Sequence, residues 1–128
     1  MNLLQIESTN STPEINFDSE NNVLVMKGQS YPENAYKFYE PLFLWIDHFL
    51  EQLQSGHSVR IELDLPYINT SSSKCLMMLL DKFEEANSPD NPFSLFWYCD
   101  MENESEVECA EEFVEDLTFS YEIIQRND

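Results

Sequence analysis

The sequence predicts a single α/β domain over residues 1–128: a mixed, mostly parallel sheet with an N-terminal hairpin and three to four helices. Three observations predict it. A chain of 128 residues suits one domain and hardly two. Its two Trp, six Tyr and nine Phe supply material for a core and separate it from disordered acidic chains, which are poor in aromatics. From about residue 59 onward, strand-like and helix-like patterns alternate, as they do where a parallel sheet is crossed by helices.

Leu3–Glu7 reads as a short first strand, followed by the polar turn Ser8–Pro13. Ile15 and Phe17 alternate with polar neighbours, Asp18–Asn22 is rich in turn formers, and Val23–Met26 is a compact apolar run ending at Gly28. Together these form a β-hairpin signal. Ser30-Tyr31-Pro32-Glu33 has the pattern of a helix start, with a Ser cap, Pro in the first turn and Glu three residues on. Tyr36, Tyr39, Phe43, Ile46, Leu50 and Leu53 then recur at helical spacing. Pro41 predicts a kink or a break near Glu40, and Gly56 a C-terminal cap.

Val59–Leu65 alternates strictly and is a strand with one apolar face. Pro66–Ser72 is a short loop. Cys75, Met78, Leu79, Phe83 and Ala86 define the buried stripe of a helix over Ser72–Asn87. Phe93–Cys99 is an aromatic-rich strand, Asn103–Leu117 an acidic helix buried through Val107, Ala110, Phe113 and Val114, and Tyr121–Ile124 a last strand.

Charge narrows the function. Six basic and twenty-five acidic residues leave a formal net charge of −19, which argues against binding to nucleic acid or anionic membrane, since those contacts are made by Lys and Arg clusters. Two glycines, Gly28 and Gly56, cannot build a phosphate-cradling loop. The N-terminus has neither a charged n-region nor an apolar h-region, so a cytoplasmic location is expected. Cys75, Cys99 and Cys109 show no CxxC spacing, which supports neither zinc nor a disulfide framework; Cys75 is expected in the core and the other two as surface thiols. His48 and His57 match no metal pair, and no cofactor or metal is expected. Glu62 and Asp64 share a strand face and read as solvated polarity.

Asn69-Thr70-Ser71-Ser72-Ser73-Lys74 joins the C-terminal end of a strand to a helix, where sites gather in open α/β sheets. Four consecutive hydroxyls exceed what one cap needs. Capping and turn chemistry and phosphate acceptance are both open readings of this run. A phosphate there would meet the helix N-terminus, and Lys74 would gain a partner.

Gly28-Gln29-Ser30-Tyr31-Pro32-Glu33-Asn34, Phe43–Phe49, Glu62-Leu63-Asp64-Leu65 and Tyr67-Ile68-Asn69-Thr70-Ser71-Ser72 resemble the SiaC family of bacterial regulatory phosphoproteins. Trp97-Tyr98 and Ala110-Glu111-Glu112-Phe113 extend the likeness over nearly the whole chain. The resemblance implies a fold similar to anti-anti-sigma (STAS) domains and no catalytic activity. It implies a partner switch in which a kinase phosphorylates one threonine and a PP2C-type phosphatase removes the phosphate. The unphosphorylated form would bind and activate an effector, a diguanylate cyclase that raises cyclic di-GMP and promotes biofilm. Matching the motif residue by residue places the phosphate on Thr70.

On that reading Asn69, Ser71, Ser72, Ser73 and Lys74 shape the loop and cap the helix, and the Asp64 charge opposes the phosphate. The helix from Ser72 is the first candidate partner surface. The aromatic helix is the second, because Tyr31, Tyr36, Phe38 and Tyr39 exceed what one stripe buries. The runner-up function is an acidic mimic occupying the nucleic-acid site of a basic partner, motivated by the charge of −19.

Overall fold

A computed structural model describes residues 3–127; the ends of the expected 1–128 domain, residues 1, 2 and 128, lie outside it. The elements follow the expected order: β1 (Leu3–Ile6), β2 (Glu14–Asp18), β3 (Val23–Lys27), α1 (Ala35–Gln52), β4 (Val59–Asp64), α2 (Thr70–Ala86), β5 (Phe93–Cys99), α3 (Glu104–Val114) and β6 (Ser120–Gln125). The six strands lie in sequence order across the sheet. β1, β2 and β3 form an antiparallel meander, and β3 through β6 are parallel.

That order decides where the helices go. Each parallel crossover steps to the next strand in the same direction, and such crossovers are right-handed. All three helices therefore fall on one face. There the register aligns Ile15 with Met26 and Leu63, then Leu63 with Trp97. Phe17 packs on Trp45 of α1, Phe93 on Phe83 of α2 and Trp97 on Phe113 of α3. The opposite face has no helix on it. Across it run Val25, Glu62, Phe96 and Glu122, with Arg60 lying 3.9 Å over the Phe96 ring.

Several local expectations need correction. α1 starts at Ala35, where the Asn34 side chain accepts the Lys37 N–H; Ser30 bridges to Ile68 instead of capping. Pro41 does not split α1, which runs unbroken from Ala35 to Gln52. Its cost of about 3 kcal/mol is outweighed by burial of seven residues of the same helix, Tyr39, Leu42 and Ile46 fully. α1 is capped at Leu53, and Gly56 sits beyond it in a turn at φ +89°. α2 begins two residues before the expected Ser72 and buries Leu76 and Leu80 beside Cys75, Leu79 and Phe83, while Met78 is exposed. Cys99 is fully buried rather than a surface thiol, Cys75 is buried as expected, and Cys109 is half-buried; all three are free.

Candidate functional site

Beyond the ends of β3 and β4 the two loops remain zipped together. The Gly28 N–H donates to the Asp64 carbonyl at 2.8 Å, Ser30 N–H to Tyr67 at 2.8 Å, and Asn69 N–H to Ser30 at 2.9 Å. The Tyr31 N–H donates to Ser11 at 2.8 Å, which ties in the β1–β2 connection. Gly28 holds φ +127°, and a Cβ there would lie 3.2 Å from the Pro13 backbone, so the path suits glycine. The two segments that carry the family likeness, 28–34 and 67–72, are thus one structural unit.

Beneath them lies a buried hydroxyl chain. The Ser30 hydroxyl donates to Ser72 Oγ at 2.9 Å and lies 2.8 Å from the Tyr39 hydroxyl. Because Ser30 has one hydroxyl proton and gives it to Ser72, Tyr39 donates to Ser30. All three residues are sealed from solvent. Burial pushes the Tyr39 phenol up to about 12, despite its hydrogen bond to Ser30, which acts the other way.

Above this chain α2 begins. The Asn69 side chain accepts the Ser72 N–H at 2.9 Å, and its carbonyl accepts the Ser73 N–H at 2.9 Å. Thr70 is the first helical residue. Helical rotation then sorts the four hydroxyls: Thr70 and Ser71 face solvent, Ser72 points inward, and Ser73 is half-buried. Among the described residues the Thr70 hydroxyl makes no hydrogen bond, and neither do the N–H groups of Thr70 and Ser71. These are the open donors at the positive end of a helix. Lys74, exposed and without an ion pair among the described residues, stands one turn along on the same face.

Asp64 does not serve the junction as expected. Its carboxylate is only 15% exposed and receives Arg126 Nε at 2.7 Å, so its charge is matched rather than free to oppose a phosphate. Arg126 also pairs with Glu106. Burial pulls the guanidinium pKa down, but the hydrogen bonds to Glu106 and Asp64 outweigh it and hold the pKa above the usual value. Sequence reading missed Arg126, because Asp64 and Arg126 are 62 positions apart and no local pattern links them.

Of the tyrosines assigned to a partner surface, Tyr31 and Tyr36 are exposed. Tyr39 is not: it is fully buried, its ring packed on Phe38 and Phe43. Its place is taken by Tyr67, which meets Tyr31 edge-on at 5.8 Å. Of nine exposed large apolar residues among those described, six lie on α1, α2 or the loops leading into them: Tyr31, Tyr36, Leu44, Tyr67, Met77 and Met78. Tyr67 was readable as an aromatic between Pro66 and the hydroxyl run. Met77 and Met78 were not, because the phase of the buried stripe depends on where α2 docks.

Among the described residues no three His, Cys, Asp or Glu side chains are grouped to hold a metal. His48 and His57 both line a cavity of about 350 Å³ with Trp45 and Phe49, on the far side of α1 from its N-terminus. No helix of the described residues is long and apolar enough to cross a membrane.

Comparison with known proteins shows what this geometry accompanies. Residues 6–126 match the model of a family described as SiaC family regulatory phosphoprotein. An uncharacterised protein of Pseudomonas aeruginosa strain UCBPP-PA14 is 42% identical over 123 residues, which is 96% of each chain. The crystal structure of apo-SiaC from Pseudomonas aeruginosa superposes with a TM-score of 0.88 at 40% identity, covering 97% of this chain and 99% of that one. SiaC in a crystal structure with the diguanylate cyclase SiaD, whose activator it is, superposes at 0.89 with 41% identity, covering 96% and 99%.

Proposed function

Because the chain belongs to the SiaC family of regulatory phosphoproteins, we propose that it is a non-enzymatic phospho-switch whose acceptor is the Thr70 hydroxyl. The observation that carries this reading is the state of that hydroxyl: exposed, unbonded among the described residues, and fixed at the first position of α2 by the Asn69 cap. A kinase transfers the terminal phosphoryl group of ATP to Thr70 Oγ, and a PP2C-type phosphatase hydrolyses it. The chain itself needs no cofactor or metal for this, and it acts in the cytoplasm.

The added charge of about −1.5 to −2 is a tenth of the net charge already present, so the effect must be local. The open N–H groups of Thr70 and Ser71 and the Lys74 ammonium favour the phosphate, the helix terminus contributing roughly 0.3–1 kcal/mol at an exposed position. Ser72 is withdrawn by burial, Ser73 is half-buried, and both serve the junction instead. The unphosphorylated form offers Tyr31, Tyr36, Tyr67, Met77 and Met78 to its effector, and a doubly charged group among them makes docking costly through desolvation. The effector we assign is a diguanylate cyclase, as for the SiaC–SiaD pair, with cyclic di-GMP and biofilm formation as the output.

Intact-mass measurement after incubation with the partner kinase and ATP, followed by fragmentation, should find one phosphate on Thr70. Thr70→Ala should stay folded and bind the cyclase constitutively, and the phosphorylated chain should bind it at least about tenfold more weakly, equivalent to 1.4 kcal/mol. Phosphate on Ser71 with Thr70 untouched would refute the acceptor. Loss of cyclase binding by folded Thr70→Ala would refute the direction of the switch.

A further inference from the structure

β6 closes the sheet on one side, and among the described residues no further strand pairs with it. The Arg126 N–H donates to Cys99 on β5, and Cys99 is in register with Gln125. In a parallel ladder alternate residues turn both their N–H and C=O to the same neighbour. The backbone groups of Ser120, Glu122 and Ile124 are therefore used by β5, and those of Tyr121 and Ile123 point outward, unpaired.

The side chains beside this edge form a groove. Tyr121 and Ile123 share the helix-side face with Leu95 and Trp97, and with Val114 they make an apolar floor. Its wall is one stripe of α3, Glu108, Glu111 and Glu112, continued by the C-cap residue Glu115, and the concavity measures about 550 Å³. All four glutamates are exposed, and among the described residues none has a cation within ion-pair distance.

We propose that this edge is a second protein-binding site, which takes a basic, extended segment of a partner by strand addition to β6. The outward N–H and C=O groups of Tyr121 and Ile123 supply main-chain hydrogen bonds, as in other strand-addition complexes. Every second side chain of the incoming strand lies on the helix side. Lys or Arg fits there, because its aliphatic stem covers Tyr121 and Ile123 while its charged head reaches the α3 carboxylates. A second copy of this chain does not fit: two-fold pairing would bring two such glutamate stripes together. The site lies two strands from β4, about 10 Å across the sheet from the strand that leads to Thr70, and it is independent of the phosphate.

The test uses the full-length unphosphorylated protein and a fluorescent ten-residue peptide of alternating Lys and Val. Anisotropy should show binding that weakens about tenfold or more when NaCl is raised from about 50 to 300 mM. It should weaken at least about fivefold in Glu111→Gln/Glu115→Gln, whose changes are on the surface. The same peptide N-methylated at every peptide nitrogen cannot donate to a strand edge from either side and should bind at least about tenfold more weakly. Amide exchange by NMR should show new protection at Tyr121 and Ile123. Equal binding of the N-methylated peptide, or binding without protection of those two amides, would reduce the site to nonspecific charge attraction and overturn the proposal. Absence of binding at low salt, or protection of the same amides by self-association without peptide, would overturn it as well.

Discussion

Removing the middle hydroxyl of the buried Tyr39–Ser30–Ser72 chain should cost more than removing its end, and the two changes should not add. In Tyr39→Phe, Ser30 still donates to Ser72, so the loss is one hydrogen bond inside the protein, about 1 kcal/mol. In Ser30→Ala, the Tyr39 hydroxyl loses its acceptor at 2.8 Å and Ser72 loses its donor at 2.9 Å. An orphaned buried donor costs about 1–3 kcal/mol by itself, which puts Ser30→Ala at about 2–4 kcal/mol. In the double variant no tyrosine hydroxyl remains to be orphaned. Its loss should fall short of the sum of the singles by about 1 kcal/mol or more. Urea unfolding of the four proteins gives this coupling, provided the slope m stays constant. Additivity within about 0.5 kcal/mol would refute the chain as drawn, since it would mean that Tyr39 finds another acceptor. The consequence reaches the proposed switch, because Ser72 is in the first turn of α2, two residues from Thr70.

The remaining predictions concern other parts of the frame. Arg126→Met should destabilise by about 2–4 kcal/mol in urea unfolding, because it leaves Asp64 and Glu106 uncompensated at 15% and 8% exposure. Adding Asp64→Asn and Glu106→Gln should recover part of that loss. Gly28→Ala should cost more than Gly56→Ala in thermal unfolding. Both have positive φ, worth about 1–3 kcal/mol of strain, but only at Gly28 does the new Cβ approach another backbone, 3.2 Å from Pro13, whereas Gly56 has open space. Stability should also fall in alkali through Tyr39. Below pH 10 the phenol is protonated in both states and adds no pH dependence. Between 10 and about 12 the unfolded chain ionises first and binds fewer protons, so stability drops by about 1.4 kcal/mol per pH unit. Tyr39→Phe should lose less stability than wild type between pH 10 and 12, and equal losses in the two proteins would contradict the burial assigned to Tyr39.

Local sequence determined what local physics controls. Alternation at Val59–Leu65 and the apolar run at Val23–Met26 fixed the strands, because side chains on a pleated strand change face at every residue. Helical spacing located the helices but left three or four open at Pro41, and the order of elements fixed an α/β class. The hydroxyl run marked a strand-to-helix junction because Asn, Ser and Thr compete for backbone donors wherever helices begin. What local pattern leaves open is phase and pairing. Only the docked sheet decided that Tyr39 turns inward to Ser30 while Tyr67 stays out, that Met78 leaves the stripe, and that Asp64 is matched by Arg126. Ser30 resembled a cap in sequence, yet its N–H and C=O were claimed by the Tyr67–Asn69 strand end, and Asn34 took the capping role. Such partners lie tens of residues apart, and the free energy that joins them comes from excluding water between surfaces that exist only after the chain has packed.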